Sequence, residues 1–515
     1  MANELVFRTC PITGKKVFAA TQNLIWINAV TAVVFILVGG IMAFLVGMTR
    51  WPAVHLLSAD LFYRFLTAHG LNMLIFWIIF FEIAGLYFGS SVLLSSRLAA
   101  PKVAWLAYIL MLVGAVLVDI MVFTGKATVM FSSYVPLQAD PLYYLGVILF
   151  AVGALIGCGI FFGTLAVAKA EKTYEGSVPL VTFGLAAAAI IAVFTLACGA
   201  IIYIPTFLWS LGLITNLDPG VYRLIFWGLG HASQQINVTA MVSIWYLLGA
   251  LTVGAKPVNE KICRSAFFLY ILFINLASEH HLLTDPTLSP YHKMANTSYF
   301  MYLAVLASMI HALAIPMTVE VAQRKKGYTK GLFEWLTKAP WGEPGFPAMM
   351  FSLFIFGFIG GITGVVYGTE QLSIKSHNTW ALTGHFHGTV VGGTTLAFMG
   401  LTYYVIPLIF RREIIGKKLA VAQPYIFAIG IILIALGMGG AGTLGSPRRH
   451  WDVTFADAVL PFSFDPAVIF FTTIAAIGVI AAVVGGAIYV GVAVLSVFFG
   501  RKIGPNEATL FYRVS

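Results

Sequence analysis

Twelve long apolar stretches dominate this sequence, each bounded by glycine, proline or charged residues. About 20 apolar residues is the length that an α-helix needs to cross the hydrocarbon core of a bilayer. Helices satisfy their own backbone hydrogen bonds there, so the stretches predict twelve membrane-spanning helices. We place these spans at 23–48, 62–92, 103–124, 139–170, 180–212, 223–254, 263–286, 295–322, 347–368, 379–411, 420–443 and 466–499.

The composition excludes a water-soluble fold. Hydrophobic residues make up 60% of the chain and charged residues only 10%, whereas a soluble domain has roughly 25% charged residues. No polar linker or low-complexity run separates the spans. We therefore expect residues 1–515 to form one domain, an all-α integral membrane bundle of twelve helices.

The distribution of positive charge predicts the orientation of this bundle. Of the 30 Lys and Arg residues, 22 fall in the two termini and the loops after even-numbered spans, and 8 fall on the other side. Cytoplasmic loops carry the excess of Lys and Arg, so both termini are expected in the cytoplasm. The first span is too long for a signal-peptide core, so no cleavage is expected. The net charge of +10 is then a topology signal and predicts no nucleic-acid partner.

The cysteines predict no covalent cross-link or covalent cofactor. They lie far apart and form no CxxC, CxxCH or CxxxC pattern, which argues against a disulfide framework, a c-type haem or a dicopper centre in this chain. We expect inert thiols at Cys10, Cys158, Cys198 and Cys263.

Histidines carry most of the functional information. On this topology, all eleven except His311 fall in the outer third of a span or in an outer loop. Ionisable groups inside a membrane are costly and usually functional, and imidazole is the commonest metal ligand. His311 lies deep in span eight and is expected to be structural. Six histidines within spans two, six, seven and ten are candidate ligands: His69, His231, His280, His281, His385 and His387.

Two of these ligands share span ten. His385 and His387 point about 200° apart on a helix, so one helix can serve two separate metal centres. The six histidines suffice for a bis-histidine haem, a haem with one protein ligand and a three-histidine non-haem metal.

The motifs around the histidines resemble subunit I of the haem-copper oxidase superfamily, which includes terminal oxidases and nitric oxide reductases. The resemblance covers essentially the whole chain. It rests on His-Gly in span two, Gly-His in span six, His-His in span seven, His-Asn-Thr and Gly-His-Phe-His in span ten, and Gly-Ser-Pro-Arg-Arg-His before span twelve.

The resemblance implies two haems, expected to be b-type, and one further metal. That metal would be copper-B, with non-haem iron as the alternative. The implied ligands are His69 and His387 for the low-spin haem, His385 for the high-spin haem, and His231, His280 and His281 for copper-B.

The resemblance also implies a site for the haem propionates. Arg448 and Arg449 would pair with them, since guanidinium groups bind carboxylates bidentately, and His377 would lie beside the same propionates. Glu82 and Asp119 are further buried-acid candidates, although neither spells a family proton channel.

One departure from the family pattern bears on the reaction. Oxygen reductases of the superfamily need a redox-active tyrosine near copper-B, generally four residues after the span-six histidine, where this chain has Gln235. One branch takes the tyrosine from span seven, at the position of Ile274, and the nearest tyrosine of that span is Tyr270. Reduction of NO needs no four-electron burst, so these positions favour a nitric oxide reductase.

Gln235 and Glu279 are the expected catalytic residues besides the ligands. Gln235 would line the site as a hydrogen-bonding group, and Glu279, next to the His pair, would serve as proton donor or metal-tuning group. The first alternative is an oxygen reductase with an atypical site. The second is a non-catalytic membrane haem protein or a transporter.

The electron donor is expected to be another protein, because the chain shows neither a CxxCH haem domain nor a cupredoxin domain. We expect a membrane-anchored cupredoxin-type or cytochrome c-type subunit on the outer side, fed by a soluble cytochrome c or cupredoxin. We expect a multi-pass protein of a prokaryotic cytoplasmic membrane, with the active site toward the periplasmic side. The departure at Gln235 makes NO the expected substrate.

Overall fold

A computed structural model describes residues 7–286, 288–456, 458–460, 462–504 and 507. A two-stranded antiparallel hairpin, β1 (Phe7–Thr9) and β2 (Lys16–Phe18), precedes the helices. Twelve helices in the described residues are long and apolar enough to cross a membrane. In chain order, α1 to α12 are Ala19–Arg50, Ala59–Val92, Pro101–Phe123, Pro141–Ala170, Leu180–Ser210, Pro219–Val253, Glu260–Leu282, Pro290–Lys325, Gly345–Tyr367, Trp380–Leu408, Lys417–Thr443 and Pro466–Phe499.

The twelve predicted spans are confirmed, each by one helix. The largest difference is at the start of α8, which begins at residue 290 and was predicted to begin at 295. Three other helix starts are fixed by the local sequence. α4, α6 and α12 each begin with a proline in the first turn, preceded by a capping aspartate whose carboxylate accepts backbone N–H bonds: Asp140, Asp218 and Asp465. Such caps satisfy the free N–H groups of the first turn.

Small residues set the closest helix contacts. In α11 and α12, a Cβ atom on Gly437 would lie 2.5 Å from the backbone nitrogen of Ala475, and one on Gly478 would lie 2.6 Å from that of Ile434. Backbones can approach so closely only where side chains are small, which is how membrane helices gain packing energy. Large apolar side chains such as Val34 of α1 and Ile109 of α3 are instead exposed and face the lipid.

Two helices occupy the centre of the bundle. In α6 and α10, 83% of the apolar central window is buried, compared with 22% in α8. α6 carries His231, and α10 carries His385 and His387. Three of the six candidate ligands therefore lie on the two helices that are best shielded from lipid.

Wide π-helical turns interrupt several helices beside the candidate ligands. One follows His69 in α2 (Asn72–Phe76), one precedes the His pair in α7 (Tyr270–Ile274), and one begins at His387 in α10 (His387–Thr395). α7 then ends in a 3-10 turn, Ser278–Leu282. Such turns rotate the side chains that follow them and are frequent at functional sites.

Candidate metal centres

His69 of α2 and His387 of α10 face each other across a gap. Their ring centroids lie 6.4 Å apart, and the ring planes are within 17° of parallel. A metal–nitrogen bond of about 2.0–2.1 Å places an imidazole centroid roughly 3.2 Å from the metal, so two trans ligands have centroids about 6.4 Å apart. His69 and His387 are therefore spaced so that they would hold one haem iron between them.

Backbone carbonyls hold both rings in the orientation that ligation needs. The Nδ1 atom of His69 lies 3.0 Å from the Gly39 carbonyl oxygen, and that of His387 lies 2.8 Å from the Thr383 carbonyl oxygen. An imidazole that donates from Nδ1 presents its unprotonated Nε2 to a metal. Both rings are thus fixed as Nε2 ligands.

A cavity of about 310 Å³ surrounds these two rings. Its walls come from α1, α2, α10, α11 and α12 and are largely apolar, with Phe62, Met73 and Phe427 among them. Arg448 and Arg449 also line it. Apolar walls with two guanidinium groups suit a flat macrocycle that carries carboxylates, so the cavity fits a haem.

His385 points to the other flank of α10, as the helical angle predicts. Its Nδ1 lies 3.0 Å from the Thr363 hydroxyl oxygen and 2.9 Å from the Gly360 carbonyl oxygen, both on α9. A Cβ atom on Gly364 would lie 3.0 Å from the His385 Cε1 atom, so α9 approaches the ring where it has no side chain. His385 is therefore also held as an Nε2 ligand.

Three histidines from α6 and α7 form a compact cluster. One ring nitrogen from each of His231, His280 and His281 lies within 4.8 Å of the others. The His231 Nδ1 and His281 Nε2 atoms are 3.1 Å apart, close to the roughly 3.3 Å expected for two ligands on one tetrahedral metal. His280 has its Nδ1 2.5 Å from the Ala277 carbonyl oxygen, which leaves its Nε2 for the metal. The cluster is a preformed three-nitrogen site.

Two adjoining cavities join this cluster to His385. The first, about 140 Å³, is lined by all three clustered histidines, His385 and Gln235 and is called the tri-histidine cavity here. The second, about 250 Å³, is lined by Arg223, Arg448 and Arg449 and is called the arginine cavity. His280, His281 and His385 line both. A second macrocycle bound through His385 would thus face the three-nitrogen site and have guanidinium groups beside it.

Trp227 is a positioning residue that the sequence did not reveal. Its indole ring stacks on the His281 ring, with centroids 4.0 Å apart and planes 7° from parallel. Trp227 precedes His231 by four residues on α6, so both side chains lie on the same helix face. This i, i+4 spacing was the available signal.

The arginine pair lines both the cavity around His69 and His387 and the arginine cavity. Arg448 and Arg449 are half-buried, and among the described residues neither forms an ion pair with a carboxylate. Burial, together with the adjacent Arg449 guanidinium, lowers the pKa of Arg448 to about 9. Buried cations without partners are costly, so this site favours an anionic group such as a pair of propionates.

Arg50 at the end of α1 supports the loop that carries this pair. Its guanidinium donates to the carbonyl oxygens of His450, at 2.5 Å, and Pro447, at 3.0 Å. It also lies over the Trp380 ring, 4.4 Å from the centroid. Sequence reasoning counted Arg50 only as a loop charge, because its partners lie about 400 residues away.

His377 lines the arginine cavity, beside Arg448 and Arg223. Burial is the main cause that lowers the pKa of His377, and the two guanidinium groups lower it further. A neutral imidazole here can donate to or accept from an anionic group. The predicted place of His377, beside the propionate site, agrees with this geometry.

Gln235 and Tyr270 both line the tri-histidine cavity. Gln235 is half-buried, one turn after His231 on α6. The Tyr270 hydroxyl lies 2.9 Å from the Ser308 hydroxyl of α8, and its ring stacks on His311 at 5.5 Å. The polar wall of the cavity therefore includes an amide beside the ligands and a tyrosine that is bonded to α8.

His311 lies between helices and has a hydrogen-bond partner on another helix. Its Nδ1 lies 3.0 Å from the Tyr246 hydroxyl, and the same hydroxyl donates to the Cys263 sulfur over 3.1 Å. These contacts join α6, α7 and α8. They were not visible in the sequence because each partner lies on a different helix.

Glu279 lies in the same 3-10 turn as the His pair, and its role as proton donor or metal-tuning group stays a prediction. It does not line either cavity beside the histidines. Its Oε2 atom instead accepts a hydrogen bond of 3.4 Å from the Asn296 amide of α8. The 3-10 turn at the end of α7 turns Glu279 toward α8 while His280 and His281 face the cavity.

Comparisons with known proteins agree with this fold and site. The family model "Cytochrome C and Quinol oxidase polypeptide I" matches residues 23–484. Cytochrome c oxidase subunit 1 of Thermus thermophilus is 30% identical over 403 residues, which cover 77% of this chain and 70% of that protein. Quinol oxidase subunit 1 of Bacillus subtilis is 24% identical, covering 82% of this chain and 64% of that protein. A solved heme-copper terminal oxidase dimer has a TM-score of 0.89 and 26% identity, covering 96% of this chain and 86% of the solved one.

The fold and the histidine sites define a membrane-embedded redox subunit with two haem positions and a third metal. The chain belongs to the cytochrome c and quinol oxidase polypeptide I family, the subunit I of haem-copper oxidases. It is a multi-pass membrane oxidoreductase of prokaryotic type that takes part in electron transport. As in its family, it binds two haems and copper-B.

Proposed function

We propose that this subunit reduces nitric oxide: two NO, two electrons and two protons give N₂O and water. The metals supply electron transfer and the binding of the gas. The residues of the chain fix the ligands, line the cavity and bring protons to it.

Gln235 is the observation that carries the proposal. It lies one turn after His231 and lines the tri-histidine cavity, where the oxygen reductases of the resemblance carry their redox tyrosine. An amide can donate and accept hydrogen bonds, but it has no proton or electron to release at neutral pH. This environment suits a two-electron reaction better than the four-electron cleavage of O₂.

Protons need a route into the cavity, and the contacts of α6, α7 and α8 offer one. Tyr246, with its bonds to Cys263 and His311, lies at its start. Ser308, one turn before His311 on α8, lines the tri-histidine cavity. We propose that protons pass along these groups, because the Tyr246 hydroxyl contacts His311 directly and Ser308, one turn from His311, reaches the cavity.

Glu279 acts in this proposal as a positioning residue that tunes the metal site. Its hydrogen bond to Asn296 fixes the 3-10 turn to α8, and that turn carries His280 and His281. Such outer partners orient metal ligands, and their loss typically costs about 10–100-fold in affinity or activity.

Electron entry is proposed from a membrane-anchored partner with an outer cupredoxin or cytochrome c domain. The ligands lie toward one end of α2, α6, α7 and α10. The loop between α11 and α12, which carries Arg448 and Arg449, lies at the same end of the bundle. We assign this end to the periplasmic side. Both haems are proposed to be b-type. The two termini then lie in the cytoplasm, in line with the excess of positive charge there.

Reduction of O₂ is the second candidate. Tyr270 favours it, because this side chain lines the tri-histidine cavity and carries a phenol that could supply an electron and a proton. The relatives named above are oxidases as well. If Tyr270 serves O₂ reduction, Y270F lowers O₂ uptake far more than NO uptake.

Gas analysis of the purified holoenzyme tests the proposal. With NO and a reduced donor, we expect one N₂O for each two NO consumed, and none from H281A, which lacks one cluster ligand. Q235L should lower the rate by about tenfold or more through loss of the polar lining, with the haem spectrum unchanged. No N₂O from a preparation that holds both haems and copper would overturn the proposal.

A further inference from the structure

Glu82 of α2 is a buried acid that the proposed reaction does not yet use. Its side chain is 7% exposed, and its Oε2 atom has no hydrogen-bond partner among the described residues. It lines a separate apolar cavity of about 120 Å³, with Ile79, Ile83 and Leu185. Cys158 of α4 and Tyr203 of α5 are the other titratable side chains that line this cavity.

The surroundings of Glu82 dictate its protonation state. Among the described residues, no Lys, Arg or His nitrogen forms an ion pair with it. An ionised carboxylate without a partner is strongly disfavoured in an apolar, water-poor environment. The Glu82 carboxyl therefore carries a proton at rest.

Two amides of α6 connect this carboxyl to the metal site. With its amide nitrogen turned toward Glu82, Asn237 donates to the Glu82 Oε1 over 3.1 Å. The amide groups of Asn237 and Gln234 lie 3.3 Å apart. Both residues are buried, and Gln234 lines the tri-histidine cavity. The three side chains thus form a polar bridge between two cavities.

The bridge is specific in its placement. Gln234 and Asn237 are three residues apart, so they share one face of α6, and α2 presents Glu82 to that face. Ser233 extends the polar surface, because its hydroxyl lies 3.3 Å from the Gln234 amide. Buried polar groups are costly unless they are hydrogen-bonded. Packing alone does not require an acid at this position, nor a line of amides that leads from it to a metal cavity.

We propose that Glu82 is a proton-exchange residue for the tri-histidine cavity: water that enters along the bridge carries its proton, and the Asn237 and Gln234 amides orient that water by hydrogen bonds. In one step a proton leaves the carboxyl and a proton enters the cavity, matched by one electron that reaches the metal pair. Glu82 then regains a proton from bulk water, so the protons consumed per turnover are unchanged. The inference rests on the proposed function only in that protons are consumed at the cavity, and it applies to O₂ as well as to NO.

Infrared difference spectra on photolysis of carbon monoxide from the reduced holoenzyme test the coupling without any substrate turnover. We expect a carboxyl C=O band that shifts in D₂O, is lost in E82Q and moves in N237L. D119N is the matched control, since Asp119 is a half-buried acid of α3 that bonds to Asn72 on α2, so its loss should leave the band in place. A wild-type spectrum without such a band, or a band that persists in E82Q, would overturn the proposal.

Turnover provides the second readout. E82Q should lower the steady-state rate at least about tenfold with both haem spectra unchanged, and E82D should recover part of it. If E82Q fails to bind haem, N237L provides the test, because it keeps the acid and still breaks the bridge. The carboxyl band and the turnover rate of N237L then decide whether the proposal holds. Wild-type rates in E82Q and N237L would contradict the proposal, whereas failure to reduce NO in the wild type would affect only the proposed function.

Discussion

The imidazole rings of His69 and His387 lie 6.4 Å apart and nearly parallel, the spacing that two axial ligands of one iron require. They come from helices more than 300 residues apart in sequence. Each is fixed through Nδ1 by a backbone carbonyl, so the pair is formed by the fold before any metal binds. Because each ring is held by its own carbonyl, each histidine can be replaced and tested separately.

Replacing one axial ligand should remove the low-spin haem signature. In H69A, the spectrum of a bis-histidine haem is expected to disappear while carbon monoxide still binds the high-spin haem. Turnover should fall by more than the roughly 100-fold that loss of an outer-shell partner costs. H55A is the control, because His55 lies in a loop and lines neither haem cavity. A normal low-spin spectrum in H69A would contradict the assignment.

Loss of the Thr363 hydroxyl should tune the high-spin haem without removing it. T363V deletes the 3.0 Å contact to the His385 Nδ1 but keeps the Gly360 carbonyl. We expect a lower basicity of His385, a shifted midpoint potential of the high-spin haem, and activity about tenfold lower. T472V is the matched control, since Thr472 bonds only within its own helix. An unchanged potential would show that Thr363 does not tune His385.

Haem retention should depend on pH through Arg448. The pKa of Arg448 is about 9, and it rises when propionates bind. The charged guanidinium therefore contributes fully to haem affinity below pH 9. This contribution is lost as the pH rises through the higher pKa of the haem-bound state. The rate of haem transfer to an excess of a haem-binding protein should therefore increase above about pH 9. R448Q should lose haem about 10–100-fold faster at neutral pH, the equivalent of one charged hydrogen bond. Retention that is independent of pH would contradict this role.

The route through Tyr246 predicts a proton-limited variant. Y246F removes the hydroxyl that joins His311 and Cys263, so we expect turnover to fall about 10–100-fold while reduction of both haems by the donor stays fast. Y489F is the control, because Tyr489 is buried on α12 and bonds Thr402, away from the cluster. Slowed haem reduction in Y246F would point to a structural defect.

Local sequence pattern predicted much of the molecule. Apolar length alone located all twelve helices, since a bilayer requires continuous spans. The angle between His385 and His387 followed from helix geometry, and the structure places them on opposite flanks toward different cavities. These features depend on neighbours within one helix, which the sequence displays directly.

Contacts between distant helices could not be predicted. The contact of Arg50 with the loop of Arg448, and the partners of His311, involve residues far apart in the chain. The contact of Glu279 with Asn296 of α8 was not predictable either, because the π-helical turn and the 3-10 turn of α7 rotate the residues after them away from ideal helical positions. Periodicity of 3.6 residues does not describe such segments.

Steady-state uptake of NO and of O₂ by one preparation of the purified complex, with the same reduced donor, tests the central claim most directly. The cavity lined by Gln235 predicts rapid NO consumption with release of N₂O, and O₂ uptake slower by at least about tenfold. Rapid O₂ reduction with no consumption of NO would contradict the account and assign the subunit to oxygen reduction.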